Sequence, residues 1–433
     1  KEAAILTCDG AGEWQTTILG KGVSEQLEVA ECIDFPHSLG LLYSAFTAFL
    51  GFEVNEGEYK VMGMAGFGKP RFIDLVYKTI DVSEDGSFKL NMEYFSFHES
   101  ESNSFNRRFR GLFGVPRKPD SGFDPSSEQD LRYADIAASI QKVTEDILLK
   151  AAIYLKKKSG MRNLCMAGGV ALNCVANSRI FKESGFDDIY IQPASGDSGA
   201  ALGAALYAYH CLLKKKKAFV MENAYWGPEF NDTEIKNILD RNGSNYLLLE
   251  EEPLLDQVAC LLDSQKVVGW FEGRAEWGPR ALGNRSILAD PRNLEMKQTL
   301  NKKIKFREEF RPFSPCILEE KAQEYFDIDV NRGRFASKFM LLTGGAKKKD
   351  AIPAAVNIDG TGRVQPVNKV DNPLFYRLLE KFYQRTGMPA LINTSFNLKG
   401  EPIVNTPEDA LNTFFKSGMD ALVLGHFLIK KEK

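Results

Sequence analysis

An unusual concentration of arginine lies in the second half of the chain, over residues 271–288. Arg274, Arg280 and Arg285 stand there among glycines, directly after the apolar run 266–270. A guanidinium group presents paired N–H donors, which match the oxygens of a phosphate or carboxylate two at a time. Solvated loops seldom hold so much positive charge in an apolar, glycine-rich setting. The stretch therefore indicates one wall of a pocket for phosphate or carboxylate groups.

Two further polar clusters follow this stretch, and their candidate binding groups are Lys305, Arg307, Arg311, Ser395 and Asn397. The acids that stand near the cations are Glu272, Glu276, Glu308 and Glu309. These acids are too few to neutralise all the positive charge, so the excess indicates an anionic ligand. The hydroxyl and amide groups would add neutral donors to it. A network of structural ion pairs is the alternative interpretation.

Two glycine turns in the first half of the chain could bind a nucleotide. Asp9 follows a short apolar strand and opens the turn 9–13, whereas Gly168 and Gly169 lie between a second strand and a helix that includes Asn173. Glycines let the backbone approach a phosphate, and free N–H groups at a helix start favour negative charge. An Asp-Gly hairpin and tight packing of a strand on a helix are the alternatives.

Asp197 lies in a third turn, 195–199, at the carboxyl end of a predicted strand. Open α/β sheets place their ligands at this end. The carboxylate could bind a metal ion, or it could cap the helix that follows. A metal ion needs further ligands, and the four histidines show no metal-ligand spacing.

Alternating strands and helices position these groups. Residues 164–213 read as strand, turn and helix twice over, which predicts an α/β layer with parallel strands. Further strands are predicted over 3–7, 16–19, 27–33, 266–270, 390–392 and 421–424. Further helices are predicted over 38–50, 128–158, 232–241, 254–262, 374–385 and 407–415. The polar segment 81–127 is rich in Pro, Gly and Ser and predicts an insertion or flexible excursion.

Composition bounds the class of protein. A chain of 433 residues favours two domains, and the lysine run 214–217 is the natural seam between them. The net charge of -3 argues against a general nucleic-acid-binding surface. The seven scattered cysteines contain no Cys-x-x-Cys pair, so we expect small buried thiols in a reducing cytoplasm. No apolar run reaches the roughly 18 residues that a membrane helix needs.

These segments resemble the O-carbamoyltransferases of the NodU/CmcH type, which install carbamoyl groups on nodulation factors, cephalosporins and aminoglycosides. The resemblance covers nearly all of the chain. The matching segments are 9–14, 38–44, 57–65, 168–173, 196–203, 273–290, 306–315 and 393–407.

The resemblance implies an α/β protein of two domains. Residues 1–222 would form an actin-like (ASKHA, TsaD-type) carbamoyl transfer domain, and residues 223–433 a YrdC-like domain that makes carbamoyl adenylate. The substrates implied are ATP, carbamoyl phosphate and a small hydroxyl-bearing acceptor such as a sugar or antibiotic. A divalent metal, iron or else magnesium, is implied at the transfer site. Neither a membrane nor a nucleic acid is an expected partner, and a homodimer is one option for the assembly.

The family's functional positions carry over onto matching residues of this sequence. Those implied to bind carbamoyl phosphate are Arg280, Lys305, Arg311, Ser395 and Asn397. Those implied to be catalytic are Lys305, Arg307 and Arg311. Those implied to contact nucleotide are Asp9, Gly168, Gly169 and Asn173, and Asp197 is the implied metal ligand.

Two departures from the family pattern affect this interpretation. Members carry a longer N-terminal part with a histidine proposed as general base and two metal-binding histidines four apart on a helix. The chain opens at Lys1 without a Met, so we expect a fragment. If the protein began there, adenylate formation could survive and transfer should fail. The second departure is Asn357, where the family pattern has a His.

Two other functions stay open from the sequence. A tRNA threonylcarbamoyl-type transferase belongs to the same superfamily, but it predicts a more basic surface than a net charge of -3 gives. A non-catalytic nucleotide-binding subunit is the other alternative.

Overall fold

A computed structural model describes residues 2–100, 102–217 and 219–431. The chain divides into two compact units, Lys1–Val220 and Met221–Lys433. Each unit contains both helices and strands, so the mixed α/β class expected from the sequence is confirmed. Among the described residues, no helix is long and apolar enough to cross a membrane.

The first unit contains seven strands and seven helices among its described residues. The strands are β1 Glu2–Cys8, β2 Gln15–Val23, β3 Gln26–Asp34, β4 Ile80–Val82, β5 Phe88–Leu90, β6 Asn163–Ala167 and β7 Asp188–Ile191. The helices are α1 Leu39–Phe49, α2 Glu58–Ala65, α3 Ile73–Tyr77, α4 Arg107–Phe113, α5 Glu128–Ser159, α6 Cys174–Glu183 and α7 Asp197–Leu206.

The main sheet of this unit has the order β3-β2-β1-β6-β7. Strands β1, β2 and β3 form an antiparallel meander, whereas β1, β6 and β7 run parallel. Leu6, Met166 and Ile191 lie side by side in one row across the parallel strands, and all three are buried. The parallel layer predicted from the sequence is confirmed. The carboxyl ends of the three parallel strands consequently meet at one edge of the sheet.

The long helix α5 begins and ends where local chemistry predicts. The Ser127 side chain accepts a hydrogen bond from the Asp130 N–H at its start, and Gly160 at its end has a φ of 66°. Glycine adopts this left-handed conformation without the strain that a Cβ would cause. Three lysines in the last turn complement the negative end of the helix dipole. The predicted helix over 128–158 is confirmed.

The expectation of a flexible excursion over residues 81–127 is wrong. The segment contains strand β5 and helix α4, and α4 buries Phe109 and Phe113. The Phe109 ring lies 5.0 Å from Phe46 of α1 and 4.7 Å from Phe113, measured between ring centroids. Burying these rings removes a large apolar area from water. The phenylalanines therefore anchor a segment whose average composition is polar.

The second unit contains eleven strands and seven helices among its described residues. The strands are β8 Leu247–Leu248, β9 Val268–Phe271, β10 Arg285–Ala289, β11 Ser314–Leu318, β12 Phe326–Asp327, β13 Gly344–Ala346, β14 Thr361–Gly362, β15 Gln365–Val367, β16 Ala390–Ser395, β17 Ala421–Leu424 and β18 Phe427–Lys430. The helices are α8 Asp232–Arg241, α9 Glu251–Asp263, α10 Glu295–Thr299, α11 Ala322–Tyr325, α12 Arg334–Lys338, α13 Pro373–Thr386 and α14 Pro407–Lys416.

An eight-stranded sheet forms the centre of this unit, in the order β15-β11-β16-β10-β9-β17-β18-β8. Successive residues of β10 enter different apolar clusters: Leu288 joins one, whereas Ile287 and Ala289 join the other. Because side chains alternate between the faces of a strand, both faces of the sheet are buried. The ends of these strands are then the natural positions for polar groups that meet a ligand.

The seven cysteines are all free thiols. Burial raises the pKa of Cys8 and of Cys316 to about 12, so these two groups remain protonated and unreactive near neutral pH. Cys32 on β3 and Cys260 on α9 are exposed. The expectation of buried thiols therefore holds for Cys8, Cys174 and Cys316 and is wrong for the two exposed cysteines.

The aromatic cluster around α4 generates a stability prediction. Phe109→Ala should lower the free energy of unfolding by about 3–5 kcal/mol, because it leaves a cavity in a fully buried site. Urea denaturation followed by circular dichroism measures this change. Val115→Ala, at a side chain that is 76% exposed, is the matched control and should change stability by less than about 0.5 kcal/mol. Equal stabilities for both variants would show that the cluster does not anchor the segment.

Candidate functional site

The carboxyl edge of the parallel strands in the first unit brings two predicted turns into contact. A Cβ added at Gly168 would lie 2.0 Å from the carbonyl oxygen of Cys8, and one added at Gly169 would lie 3.0 Å from Asp9 Oδ1. Gly168 has a φ of 95°, so both space and backbone conformation require glycine there. The turn after β6 therefore packs directly on the turn after β1.

The turn after β7 joins the same group. Gly168 N–H donates to the Ser195 carbonyl oxygen at 2.8 Å, and a Cβ added at Gly196 would lie 3.6 Å from the Gly169 Cα. Asp197 follows as the first residue of α7 and is exposed. The structure thus brings together the turns that carry Asp9, Gly168 and Gly169, with Asp197 beside them.

Asn173 differs from the other predicted nucleotide contacts because its side chain caps α6. Its Oδ1 accepts from the Ala176 N–H at 3.1 Å and from Gln141 Nε2 at 3.1 Å, while its Nδ2 donates to Gln141 Oε1 at 3.0 Å. The Tyr43 hydroxyl and Glu145 complete the network around Gln141. The sequence placed Asn173 inside a helix, but residues 169–172 form a 3-10 turn and α6 starts only after Asn173. Asn173 is therefore rigidly held at the start of α6.

The described residues do not fit a complete metal site. Within residues 2–100, 102–217 and 219–431, no three His, Cys, Asp or Glu side chains are grouped so that they could hold a metal ion. Asp197 remains the predicted ligand, and its metal role stays a prediction.

In the second unit, the buried ammonium group of Lys305 joins two of the predicted clusters. Its Nζ donates to the Ser395 carbonyl oxygen at 2.7 Å, to the Asn397 carbonyl oxygen at 2.7 Å and to Asn397 Oδ1 at 2.5 Å. Ser395 Oγ lies 3.3 Å from the same ammonium and donates to Asn397 Oδ1 at 2.8 Å. Lys305, Ser395 and Asn397 are therefore one connected group, although 90 residues separate Lys305 from Ser395 along the chain.

The electrostatics of this group favour an anion. Burial lowers the pKa of the Lys305 ammonium well below its ordinary value, and the positive charges of Arg307 and Arg311 lower it further. Arg307 Nε donates to Asn301 Oδ1 at 2.8 Å, and Arg311 Nη1 lies 3.6 Å from Glu308 Oε2. A negatively charged ligand would offset the repulsion among the three cations and favour the protonated form of the lysine.

A single carboxylate organises the arginine-rich loop. Glu276 Oε1 accepts hydrogen bonds from three backbone N–H groups, those of Leu282 at 2.7 Å, Asn284 at 2.8 Å and Arg285 at 3.1 Å. These bonds fold residues 276–285 back on themselves. Arg280 is half-buried within this loop, so Glu276 acts as a positioning residue for it.

Arg285 has a structural position and does not face a ligand site. Its guanidinium donates to the carbonyl oxygens of Glu272 at 2.7 Å, Asn284 at 3.0 Å, Pro228 at 3.0 Å and Gly273 at 3.1 Å. It also lies 3.6 Å from the centroid of the Phe271 ring and is fully buried. The expectation that all three arginines of the loop line an anion pocket is thus wrong for Arg285.

Arg274, unlike Arg285, lies at the surface. Its Nε is 3.6 Å from Glu229 Oε2, and its side chain is 57% exposed. Exposed pairs at this distance contribute little to stability. Of the three arginines in the loop, Arg280 is therefore the one that we retain for the anion site.

The structure connects the Arg280 loop to the Ser395 strand through side chains that the sequence did not single out. Asn393 Nδ2 donates to the Ala281 carbonyl oxygen at 3.2 Å and to Gln365 Oε1 at 2.8 Å. Gln365 Nε2 donates in turn to the Leu282 carbonyl oxygen at 2.7 Å. Asn393 lies two residues before Ser395 on β16, so Arg280 is attached to the strand that carries the Lys305 group.

Arg363 is a further cation that the sequence analysis missed. Its Nε donates to Ser314 Oγ at 3.0 Å, and Ser314 pairs with Asn393 across β11 and β16. The residue stands alone between Gly362 and Val364 in the sequence. No local cluster marks it, so only the pairing of distant strands could have found it.

Glu272 is a half-buried acid at the start of the arginine-rich stretch. Burial raises its pKa from 4.5 to about 8, with Arg285 opposing and Asp232 adding to the increase. Its Oε1 is buried without a hydrogen-bond partner in the described part of the chain. The folded state therefore favours the protonated carboxyl group.

The chain matches two protein-family models. Residues 1–206 match the model described as Carbamoyltransferase N-terminus, and residues 259–431 match Carbamoyltransferase C-terminus. Together the two matches cover most of both compact units.

Curated relatives match over essentially the whole chain. A protein of Synechocystis sp., sll1178, is 44% identical over 99% of this chain and 73% of its own length. Nodulation protein NolO of Bradyrhizobium diazoefficiens is 33% identical over 100% of this chain and 76% of its own length. The chain thus spans about three quarters of the length of these two relatives.

Among solved structures, full-length HypF in a phosphate- and nucleotide-bound form is similar over 40% of this chain and 25% of its own length. The sequence identity is 18% and the TM-score is 0.29. A likeness this low supports no argument about fold or function.

The raised pKa of Glu272 generates a pH prediction. The folded state holds a proton that the unfolded state has released between pH 4.5 and about 8, so stability falls as the pH rises through this window. Glu272→Gln cannot ionise and should remove that loss. Its melting temperature relative to wild type should therefore increase steadily from pH 5 to pH 8.5, as measured by differential scanning calorimetry.

Glu295→Gln, at an exposed position in the first turn of α10, is the control for this experiment. Its melting temperature should follow the wild-type pH dependence. A pH profile of Glu272→Gln parallel to wild type would contradict the assignment of the proton to Glu272.

Proposed function

The chain belongs to the carbamoyltransferase family of the NodU/CmcH type, and from this we propose that it is an ATP-dependent O-carbamoyltransferase. We assign carbamoyl adenylate formation to a YrdC-like second unit. We assign transfer of the carbamoyl group to an actin-like first unit. The acceptor would be a hydroxyl group of a sugar, an antibiotic or another small metabolite.

The observation that carries the proposal is the contact between Lys305 and the Ser395–Asn397 segment. An ammonium and two guanidiniums stand together here, beside a hydroxyl and an amide. Carbamoyl phosphate and ATP are both polyanions, so they repel each other in solution. A fixed group of cations offsets this repulsion and holds both reactants in one place.

Each cation has a separate part in the proposal. Lys305 is held by protein oxygens. It therefore positions Ser395 and Asn397, and it supplies positive charge without contacting the substrate. Arg280, Arg307 and Arg311 are half-buried rather than enclosed, which suits direct contact with phosphate oxygens. Water would first split carbamoyl phosphate into carbamate and phosphate. A carbamate oxygen would then attack the α-phosphorus of ATP, so that pyrophosphate leaves and the carbamoyl group remains on AMP.

The transfer step would take place at the edge where the three turns of the first unit meet. Glycine at positions 168 and 169 lets the turn after β6 pack on the turn that carries Asp9, and Asp9 would orient a ribose or acceptor hydroxyl. The acceptor oxygen attacks the carbamoyl carbon and releases its proton to solvent water, the bond from that carbon to the AMP oxygen breaks, and AMP leaves. A divalent metal, iron or magnesium, would polarise the reacting groups when bound. Because ATP and carbamoyl phosphate are cytoplasmic metabolites, the cytoplasm is the compartment that we propose.

The first step is tested with carbamoyl phosphate and labelled ATP, by measuring carbamoyl adenylate and pyrophosphate. Arg311→Ala should reduce kcat/KM for carbamoyl phosphate by about a hundredfold or more, because the substrate charge loses its partner. Arg241→Ala removes an arginine that is 71% exposed in the same unit and should behave as wild type. Near-normal adenylate formation in Arg311→Ala would refute the site.

The second step is separated from the first by Asp197→Ala. This variant should form carbamoyl adenylate at the wild-type rate and lose transfer to an added hydroxyl acceptor. Formation of an adenylate from bicarbonate and threonine without carbamoyl phosphate would instead indicate a threonylcarbamoyl-type enzyme. Nucleotide binding without turnover, even after extension of the chain upstream, would indicate a non-catalytic subunit.

A further inference from the structure

Phe306 combines two unusual properties in the middle of the proposed anion site. Its backbone has a φ of 48°, a left-handed conformation that is rare for a bulky side chain. Its ring is 50% exposed to solvent, whereas the neighbouring rings of Phe310 and Phe313 are buried. The residue thus gains little from burial and adopts a strained backbone.

The strain at Phe306 is imposed from both sides. The Lys305 N–H donates to the Leu300 carbonyl oxygen at 2.8 Å, and the Arg307 N–H donates to the Asn301 carbonyl oxygen at 3.1 Å. These bonds fix the chain before and after Phe306, so the reversal must occur at this residue. Glycine would make the same turn without strain. Strained residues of this kind persist where the surrounding structure holds them, and they concentrate at ligand sites.

The backbone reversal at Phe306 directs the phenyl ring away from the side chains of Lys305 and Arg307, its two neighbours in the chain. Lys305 points inward, with its ammonium bound to Ser395 and Asn397. Arg307 packs its guanidinium 4.5 Å from the centroid of the Phe313 ring. The Phe306 ring alone among these three side chains faces the solvent. An exposed aromatic ring consequently lies, along the chain, between two cations of the proposed anion site.

We propose that the Phe306 ring stacks on the adenine base of ATP in the second unit. The inference rests on the proposed function, since it assumes that ATP binds at this cation group. Aromatic side chains stack on any nucleobase through its π face, and flanking cations hold the phosphates of the same molecule. The ring would bind the base of ATP and leave the carbamoyl phosphate subsite unchanged.

Comparing ATP with inorganic tripolyphosphate isolates the contribution of the base. Binding of each to the full chain is measured by isothermal titration calorimetry for wild type, Phe306→Ala and Phe306→Gly. Both variants should weaken ATP binding by about tenfold, because one base–aromatic stack is lost. Neither should change the affinity for tripolyphosphate, which has no base.

Phe306→Gly also separates a loss of ATP affinity caused by the missing ring from one caused by lower stability. Glycine relieves the strain at a φ of 48°, so this variant should melt at or above the wild-type temperature. Loss of ATP affinity in a protein that is no less stable then reports on the ring itself. Phe415→Ala is the matched control, since it removes a phenyl ring that is 57% exposed in the same unit. Its ATP affinity should equal that of wild type.

Three outcomes decide the inference. Unchanged ATP affinity in both Phe306 variants would overturn it. Equal losses for ATP and tripolyphosphate would also overturn it, because the ring would then act on the phosphates or on the cations. Absence of ATP binding to this site in the wild type, shown by equal weak binding in Arg311→Ala, would instead refute the proposed function on which it depends.

Discussion

The buried ammonium of Lys305 is the constraint on which the second unit's site depends. A desolvated charge is costly unless hydrogen bonds compensate it, and the end of β16 supplies the compensating oxygens from Ser395 and Asn397. The requirement works in both directions. The lysine fixes the turn after β16, and that turn in return fixes the lysine, which the chain leaves through Phe306 and Arg307. One interaction thus determines the position of an ammonium, a hydroxyl, an amide and an aromatic ring.

The two units present ligand groups by different physical means. In the first unit, glycines allow three turns to approach one another at the carboxyl edge of parallel strands. In the second unit, the guanidinium of Arg307 is held by the amide of Asn301, and the carboxylate of Glu276 holds the backbone of the loop that carries Arg280. The first arrangement packs main chain directly against main chain. The second suits the simultaneous charge compensation of two polyanions.

Long elements with clear periodicity were predictable from the sequence. The helix over 232–241 and the strand over 421–424 have the predicted bounds, because one apolar face or run dominates each of them. The grouping of Lys305 with Ser395 in one pocket was expected from the excess of positive charge and from the family resemblance, whereas their direct contact was not predicted. The structural use of Arg285 was not predictable, since its acceptors are main-chain carbonyls, including that of Pro228, and any residue type can supply these. The packing of Phe109 was missed because the seven phenylalanines of residues 81–127 were averaged into a polar composition.

The distribution of the thiols has a practical consequence. Cys8 and Cys316 are buried with raised pKa values, which protects them from alkylating reagents, whereas Cys32 and Cys260 are exposed and lie one in each compact unit. A maleimide dye pair would therefore couple first to these two positions. The native sequence already provides a donor and an acceptor position for energy-transfer measurements of the distance between these two residues. Such a reporter requires no engineered cysteine, and it leaves the residues of both sites untouched.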